Sequence, residues 1–146
     1  MTVDVETSLD INRPIDVVAE YAADPTHAVE WYRNIRSVEW IDDPVVREHA
    51  RVRFVARFLG RNLAYTYELV EYTPGARLVM RTEQGPFPME TTYTWAAAGP
   101  GATRMTLRNR GEPAGFSKLV APFMAPAMRR ANRRDLQALK VLLEAR

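Results

Sequence analysis

Residues 51–74 read RVRFVARFLG RNLAYTYELV EYTP, and their pattern decides the fold. Val52, Phe54, Ala56 and Phe58 fall at every second position, with Arg51, Arg53 and Arg57 on the opposite side. A period of two with one apolar and one charged face is the pattern of a half-buried β-strand. Gly60 and Arg61 turn the chain. Residues 62–72 return, with Tyr65, Tyr67 and Leu69 on the apolar face, until Thr73-Pro74-Gly75 turns it again. Two such strands joined by so short a turn must pair antiparallel.

The alternation continues downstream. Residues 77–83 set Leu78, Met80 and Thr82 against Val79, Arg81 and Glu83, and Gly85-Pro86 turns. Residues 87–96 set Phe87, Met89, Thr91, Tyr93 and Trp95 against Glu90, Thr92 and Thr94, and Gly99-Pro100-Gly101 turns. Residues 103–111 set Met105, Leu107 and Asn109 against Arg104, Thr106, Arg108 and Arg110. Upstream, residues 37–41 form a strand stopped by Asp42-Asp43-Pro44, and residues 3–11 alternate from Val3 to Ile11. Two short helices separate these two strands. Pro14 suits the first helical position, and Ile15, Val18, Ala19 and Ala22 make one apolar stripe until Asp24-Pro25 ends it. The second short helix is expected over residues 26–32.

From Gly115 the period changes from two to three and four. Phe116, Leu119, Val120, Phe123, Ala127 and Met128, then Leu136, Leu139, Leu142 and Leu143, mark a helix. Pro122 and Pro126 each remove a backbone donor, so the sequence predicts a kinked start and a straight run over residues 127–145. The expected fold class is therefore α+β: a curved antiparallel sheet of six to seven strands wrapped around one long C-terminal helix, in a single domain over residues 1–146. A helix is about 10 Å across, whereas seven strands span roughly 30 Å at ~4.8 Å each. One helix cannot fill that width, so the sheet must curl and a hollow is expected between the two.

With this layout the chain resembles the START/Bet v 1-like superfamily, also called SRPBCC, with its helix-grip fold, and in particular the bacterial polyketide cyclase/dehydrase-like branch. The likeness is carried by Ile11-Asn12-Arg13-Pro14 leading into the first helix, by residues 67–74 (YELVEYTP) before Arg77-Leu78, by Tyr93-Thr94-Trp95, by residues 101–107 (GATRMTL), and by residues 135–140 (DLQALK). It runs from Val3 to Glu144 and implies the fold rather than one activity, because the superfamily holds lipid carriers, hormone receptors, ring cyclases and ubiquinone-binding proteins.

The inner faces of the strands supply Phe54, Phe58, Tyr65, Tyr67, Met80, Met89, Thr91, Tyr93, Trp95 and Asn109 as candidate ligand-binding residues, and the helix adds Phe116, Val120, Phe123 and Met124. A lining of aromatics and methionine with a few hydroxyls and one amide suits an apolar ligand held at a few polar points. Trp31, Tyr32 and Trp40, near the short helices, are placed to flank an entrance. Alternation puts Glu90, Arg53 and Arg81 on the polar face, although a one-residue slip of register would bring them into the hollow.

The rest of the composition mostly excludes. The 146 residues, 47% hydrophobic and 26% charged, are ordinary for a folded chain. No cysteine is present, so thiol chemistry and disulfides are ruled out. His27 and His49 lack metal-ligand spacing, and Ser8, Ser37 and Ser117 sit in no nucleophile elbow. No phosphate-binding glycine loop occurs, so no metal, nucleotide or other cofactor is expected. Without an apolar run long enough to span a bilayer or a leader-like start, the expected location is the cytoplasm. The net charge of +2 hides a gradient: the first fifty residues hold eleven acids against four arginines, and the excess of arginine follows later. The simplest reading is that the acidic third packs against the basic remainder.

Arg129, Arg130, Arg133 and Arg134 form a basic stripe at helical spacing, either a solvated face or a contact for an anionic membrane surface. No reading motif accompanies that charge, so nucleic acid is not an expected partner. Three functions remain open: a binder or carrier of a hydrophobic small molecule (lipid, isoprenoid or polyketide-like aromatic), a cyclase/dehydratase-type enzyme acting on such a molecule, and an interaction module.

Overall fold

The structure is a computed structural model that describes residues 3–58, 60–84, 88–112 and 121–146, leaving aside the side chains of residues 58, 83, 84 and 121. In chain order its elements are β1 (Val3–Ile11), α1 (Ile15–Ala23), a single 3-10 turn (Pro25–His27) running into α2 (Ala28–Trp31), β2 (Ile35–Trp40), β3 (Arg51–Phe58), β4 (Arg61–Thr73), β5 (Arg77–Gln84), β6 (Met89–Ala97), β7 (Thr103–Gly111) and α3 (Ala121–Glu144). The seven strands form one antiparallel sheet in the order β1-β7-β6-β5-β4-β3-β2. Strands β2 to β7 are the expected meander, and β1 closes the far edge by pairing with β7.

Alternation sets the register. Across β3 and β4, Val52 faces Tyr67, Phe54 faces Tyr65 and Ala56 faces Leu63. Across β6 and β7, Thr91 faces Asn109, Tyr93 faces Leu107 and Trp95 faces Met105. The tight return between β3 and β4 depends on Gly60, whose φ of 78° is in the left-handed region that a side chain disfavours. No register slip brings the polar face inward: Arg81 pairs with Glu90 across β5 and β6 on the outer face, and Arg53 is exposed. The charge gradient resolves on that same face. Arg108 forks onto Asp4 and Arg104 onto Asp10, so the acids of β1 meet the arginines of β7.

Three details differ from the sequence reading. Pro14 is the residue before α1 rather than its first: its ψ of 154° is extended, and its carbonyl accepts the N–H of Val18. The second short helix is a 3-10 turn followed by one α-turn, started by Asp24, whose side chain accepts the N–H of Thr26. The long helix is already helical at Ala121 and carries Pro126 inside it. Pro122 and Pro126 both face solvent, so the carbonyl that Pro126 leaves unbonded can be hydrated and the helix continues.

α3 runs along β1. Near its start Met124 and Met128 pack on Val3 and Val5. Near its end Lys140 Nζ donates to the carbonyl of Asp10, Arg13 Nη1 to that of Leu143, and the N–H of Asn12 to Glu144 Oε2. The main core lies under the second half of the helix, where Leu136, Leu139 and Leu143 join Val18, Ala19 and Ala22 of α1 and the concave side of the sheet. The short helices therefore help α3 to fill one end of the trough. Among the described residues no helix is long and apolar enough to cross a membrane.

Candidate functional site

Between the two packed clusters a cavity of about 140 Å³ remains. Its floor is the concave face of the sheet: Phe54 of β3, Leu63, Tyr65 and Tyr67 of β4, Met80 of β5, Met89, Thr91 and Tyr93 of β6, and Asn109 of β7. Its roof is α3, through Met128, Ala131, Asn132 and Asp135, and its side is Tyr32, Asn34 and Ile35. Ala56 and Arg57 complete the wall, Arg57 being the exposed residue of the lining.

Two polar points interrupt these apolar walls. The first crosses from roof to floor. Asn132 Nδ2 donates to Asn109 Oδ1 at 2.7 Å, and Asn109 Nδ2 donates to Thr91 Oγ1 at 2.8 Å. The second bond follows from the register, since Thr91 and Asn109 stand opposite one another. The second point is a pair of hydroxyls, Tyr32 and Tyr93, 2.6 Å apart. One O–H serves the pair and the other remains to donate, because each hydroxyl carries one proton. Tyr93 is only 4% exposed. Burial raises the phenols well above their ordinary range at Tyr32, Tyr65 and Tyr93, and raises Tyr67 to about 12, so at neutral pH all four are neutral.

Asp135 adds a carboxyl to the roof at 2% exposure. Burial raises its pKa, against the pull of the Arg33 N–H, which donates to Oδ1 at 3.1 Å, and of Arg134 at 3.7 Å. An aromatic belt surrounds these groups. The Tyr67 ring meets Phe54 edge-on at 5.5 Å, and Trp31 packs against both Tyr32 and Tyr93.

Of the residues expected from sequence, Phe54, Tyr65, Tyr67, Met80, Met89, Thr91, Tyr93 and Asn109 line the cavity together. Trp95 does not. It faces inward and is buried beside Tyr93 in the main core, but it is not among the cavity's lining residues. Met124 does not either, since it points from the first turn of α3 into the cluster at β1. Phe123 is 67% exposed and faces away, because one residue turns an α-helix by about 100° from the buried Met124. The side chain of Phe58, and Phe116 and Val120 altogether, lie outside the described residues. Trp31 is core rather than entrance, whereas Tyr32 beside it reaches the cavity.

Neither histidine is in the cavity. His27 stacks on Tyr21 at 4.1 Å and bonds the Tyr21 carbonyl, and His49 pairs with Glu68. Sequence reading missed Asn132 and Asp135. Their signal was present: two polar residues three apart, in phase with Met128, Leu136 and Leu139, interrupt an apolar stripe and need buried partners.

The polyketide cyclase / dehydrase and lipid transport family matches residues 2–144. The chain belongs to this family. Comparison with the curated proteins finds no match. Solved structures share the fold at low identity. TTHA0849 from Thermus thermophilus superposes with a TM-score of 0.82 at 23% identity over 97% of each chain. The Zhui aromatase/cyclase from Streptomyces sp. R1128 superposes at 0.83 and 17%, over 99% of this chain and 94% of that one. A START superfamily protein from Mycobacterium smegmatis superposes at 0.83 and 12%, over 97% of each.

Proposed function

We propose that this member of the polyketide cyclase / dehydrase and lipid transport family binds a hydrophobic small molecule (a lipid, an isoprenoid or a polyketide-like aromatic) in the cavity between the sheet and α3. The observation that carries the reading is an apolar hollow with hydrogen-bonding groups at two fixed points, Asn132–Asn109–Thr91 and Tyr32–Tyr93. Apolar cavities of about 150 Å³ take a guest the size of benzene, so the 140 Å³ here suits one ring. The remainder of a longer molecule passes out beside Arg57. A neutral guest is favoured in the inner part, where the phenols stay neutral and the one other ionisable group is the Asp135 carboxyl, while the Arg57 cation stands at the exposed wall.

The test uses the neutral, polarity-sensitive ketone dye Prodan. Titrated into the protein it gains blue-shifted fluorescence, and Ala131→Trp, which fills the roof of the cavity, abolishes the gain. Equal enhancement in both proteins contradicts binding at this site.

A second reading is a cyclase/dehydratase-type enzyme that steers such a molecule by shape. It draws on a specific feature, the buried Asp135 carboxyl next to the Tyr32–Tyr93 hydroxyls. On that reading Tyr93→Phe lowers turnover of a poly-β-ketone chain without unfolding the protein, and unchanged turnover contradicts it.

A further inference from the structure

The outer face of α3 has no role in the cavity. Phe123 and Val141 are 67% and 61% exposed, and no other large apolar side chain of this helix is so open. They are eighteen residues apart, which is five full turns at ~3.6 residues per turn, so they share one azimuth about 27 Å apart. Arg130 lies between them close to the same line, while Arg133 and Arg129 stand about 80° and about 120° round the helix from it, both to the same side; all three are exposed. Among the described residues none of the three has an ion-pair partner. From Ala121 to Arg134 the helix contains no acid. Its first acid, Asp135, is buried on the other side, and Glu144 is engaged at the far end.

We infer that this face of α3 docks on an anionic lipid surface. The arginines meet headgroup phosphates, and Phe123 and Val141 at the two ends enter the apolar layer just below. An exposed apolar line with a basic flank beside it, whose long arginine side chains can reach round to the headgroups, fits a helix lying in the bilayer interface. A nucleic-acid backbone would satisfy the arginines but offer Phe123 and Val141 no apolar partner, which favours the lipid surface. Met128, Ala131 and Asn132, which line the cavity, belong to the same turns as the arginines, so docking sets the roof of the cavity against the bilayer. The inference stands on the outer face alone and goes beyond the binding reading.

The experiment is co-sedimentation with sucrose-loaded vesicles of equal parts phosphatidylcholine and phosphatidylglycerol, with pure phosphatidylcholine vesicles beside them. The protein is expected to sediment with the anionic vesicles, less so at high salt, and not with the neutral ones. With each arginine worth about fivefold, the triple variant Arg129→Gln/Arg130→Gln/Arg133→Gln should lose about 100-fold in partitioning. The matching triple Lys variant should keep its binding. Phe123→Ser should weaken binding severalfold and preserve the salt dependence. Failure to sediment with anionic vesicles overturns the inference, as does a triple Gln variant that binds like the parent. Salt-sensitive binding to duplex DNA that exceeds the vesicle binding also overturns it. Prodan uptake without vesicles, measured on the same samples, reads the cavity separately, so either result can fail alone.

Discussion

Asn132 joins roof to floor across the cavity, and its replacement isolates that contribution. Asn132→Ala leaves Asn109 Oδ1 without its donor in a buried setting. The expected cost is about 1–3 kcal/mol, read from urea unfolding. Asp135 behaves oppositely. Its folded pKa is raised, so the native state holds a proton more tightly than the unfolded chain does. Its charged form therefore costs stability above the folded pKa, and the cost disappears as pH falls through that value toward the ordinary 3.8. Asp135→Asn keeps an oxygen for the Arg33 N–H and removes the charge. It should melt higher than the parent at pH 7, with the gap closing on acidification; a gap that widens toward acid contradicts this. Asn109, Thr91 and Tyr93 were legible because strand alternation assigns a face. Asn132 and Asp135 left a signal but no assignment, because on a helix a polar residue within an apolar stripe looks like an interruption until its partner is known.

At the scale of elements, the strands were readable and their depth was not. Tyr93 and Trp95 share a face of β6 and both are buried in the main core, yet only Tyr93 of the two lines the cavity. Period two reports inside or outside, never distance along the trough. The helix shows the complementary limit. Its buried face was correct from Met128 onward, but Phe123 was assigned inward and lies outside. The two prolines suggested a kinked start, and the helix is already formed there, with both prolines on its solvent side. The second half of α3 holds the fold: Leu139 is fully buried in the main core cluster. Leu139→Ala should cost about 2–5 kcal/mol by denaturant unfolding, far more than Val141→Ala on the outer face of the same helix.

For the whole molecule the governing quantity is width. A sheet of seven strands is broader than the helix it wraps, and that mismatch was visible in the sequence. The sequence did not reveal how the mismatch is shared. α1 and α2 fill one end of the trough with Val18, Ala22 and Trp31, and Val3, Val5 and Met124 fill the other, so the hollow shrinks to the space between. Its size is thus set by how far the short helices reach into the trough, which their apolar stripe does not encode. On the proposed function that remaining space accepts an apolar ring with an oxygen that can take a hydrogen bond. Diffraction from crystals soaked in acetophenone tests this most directly. The ring should lie among Phe54, Met80 and Met128, with its carbonyl within hydrogen-bonding distance of the Tyr32–Tyr93 pair or the Asn132–Asn109 amides. Density for the ring on the protein surface alone, with the cavity side chains closed upon one another, would contradict the account.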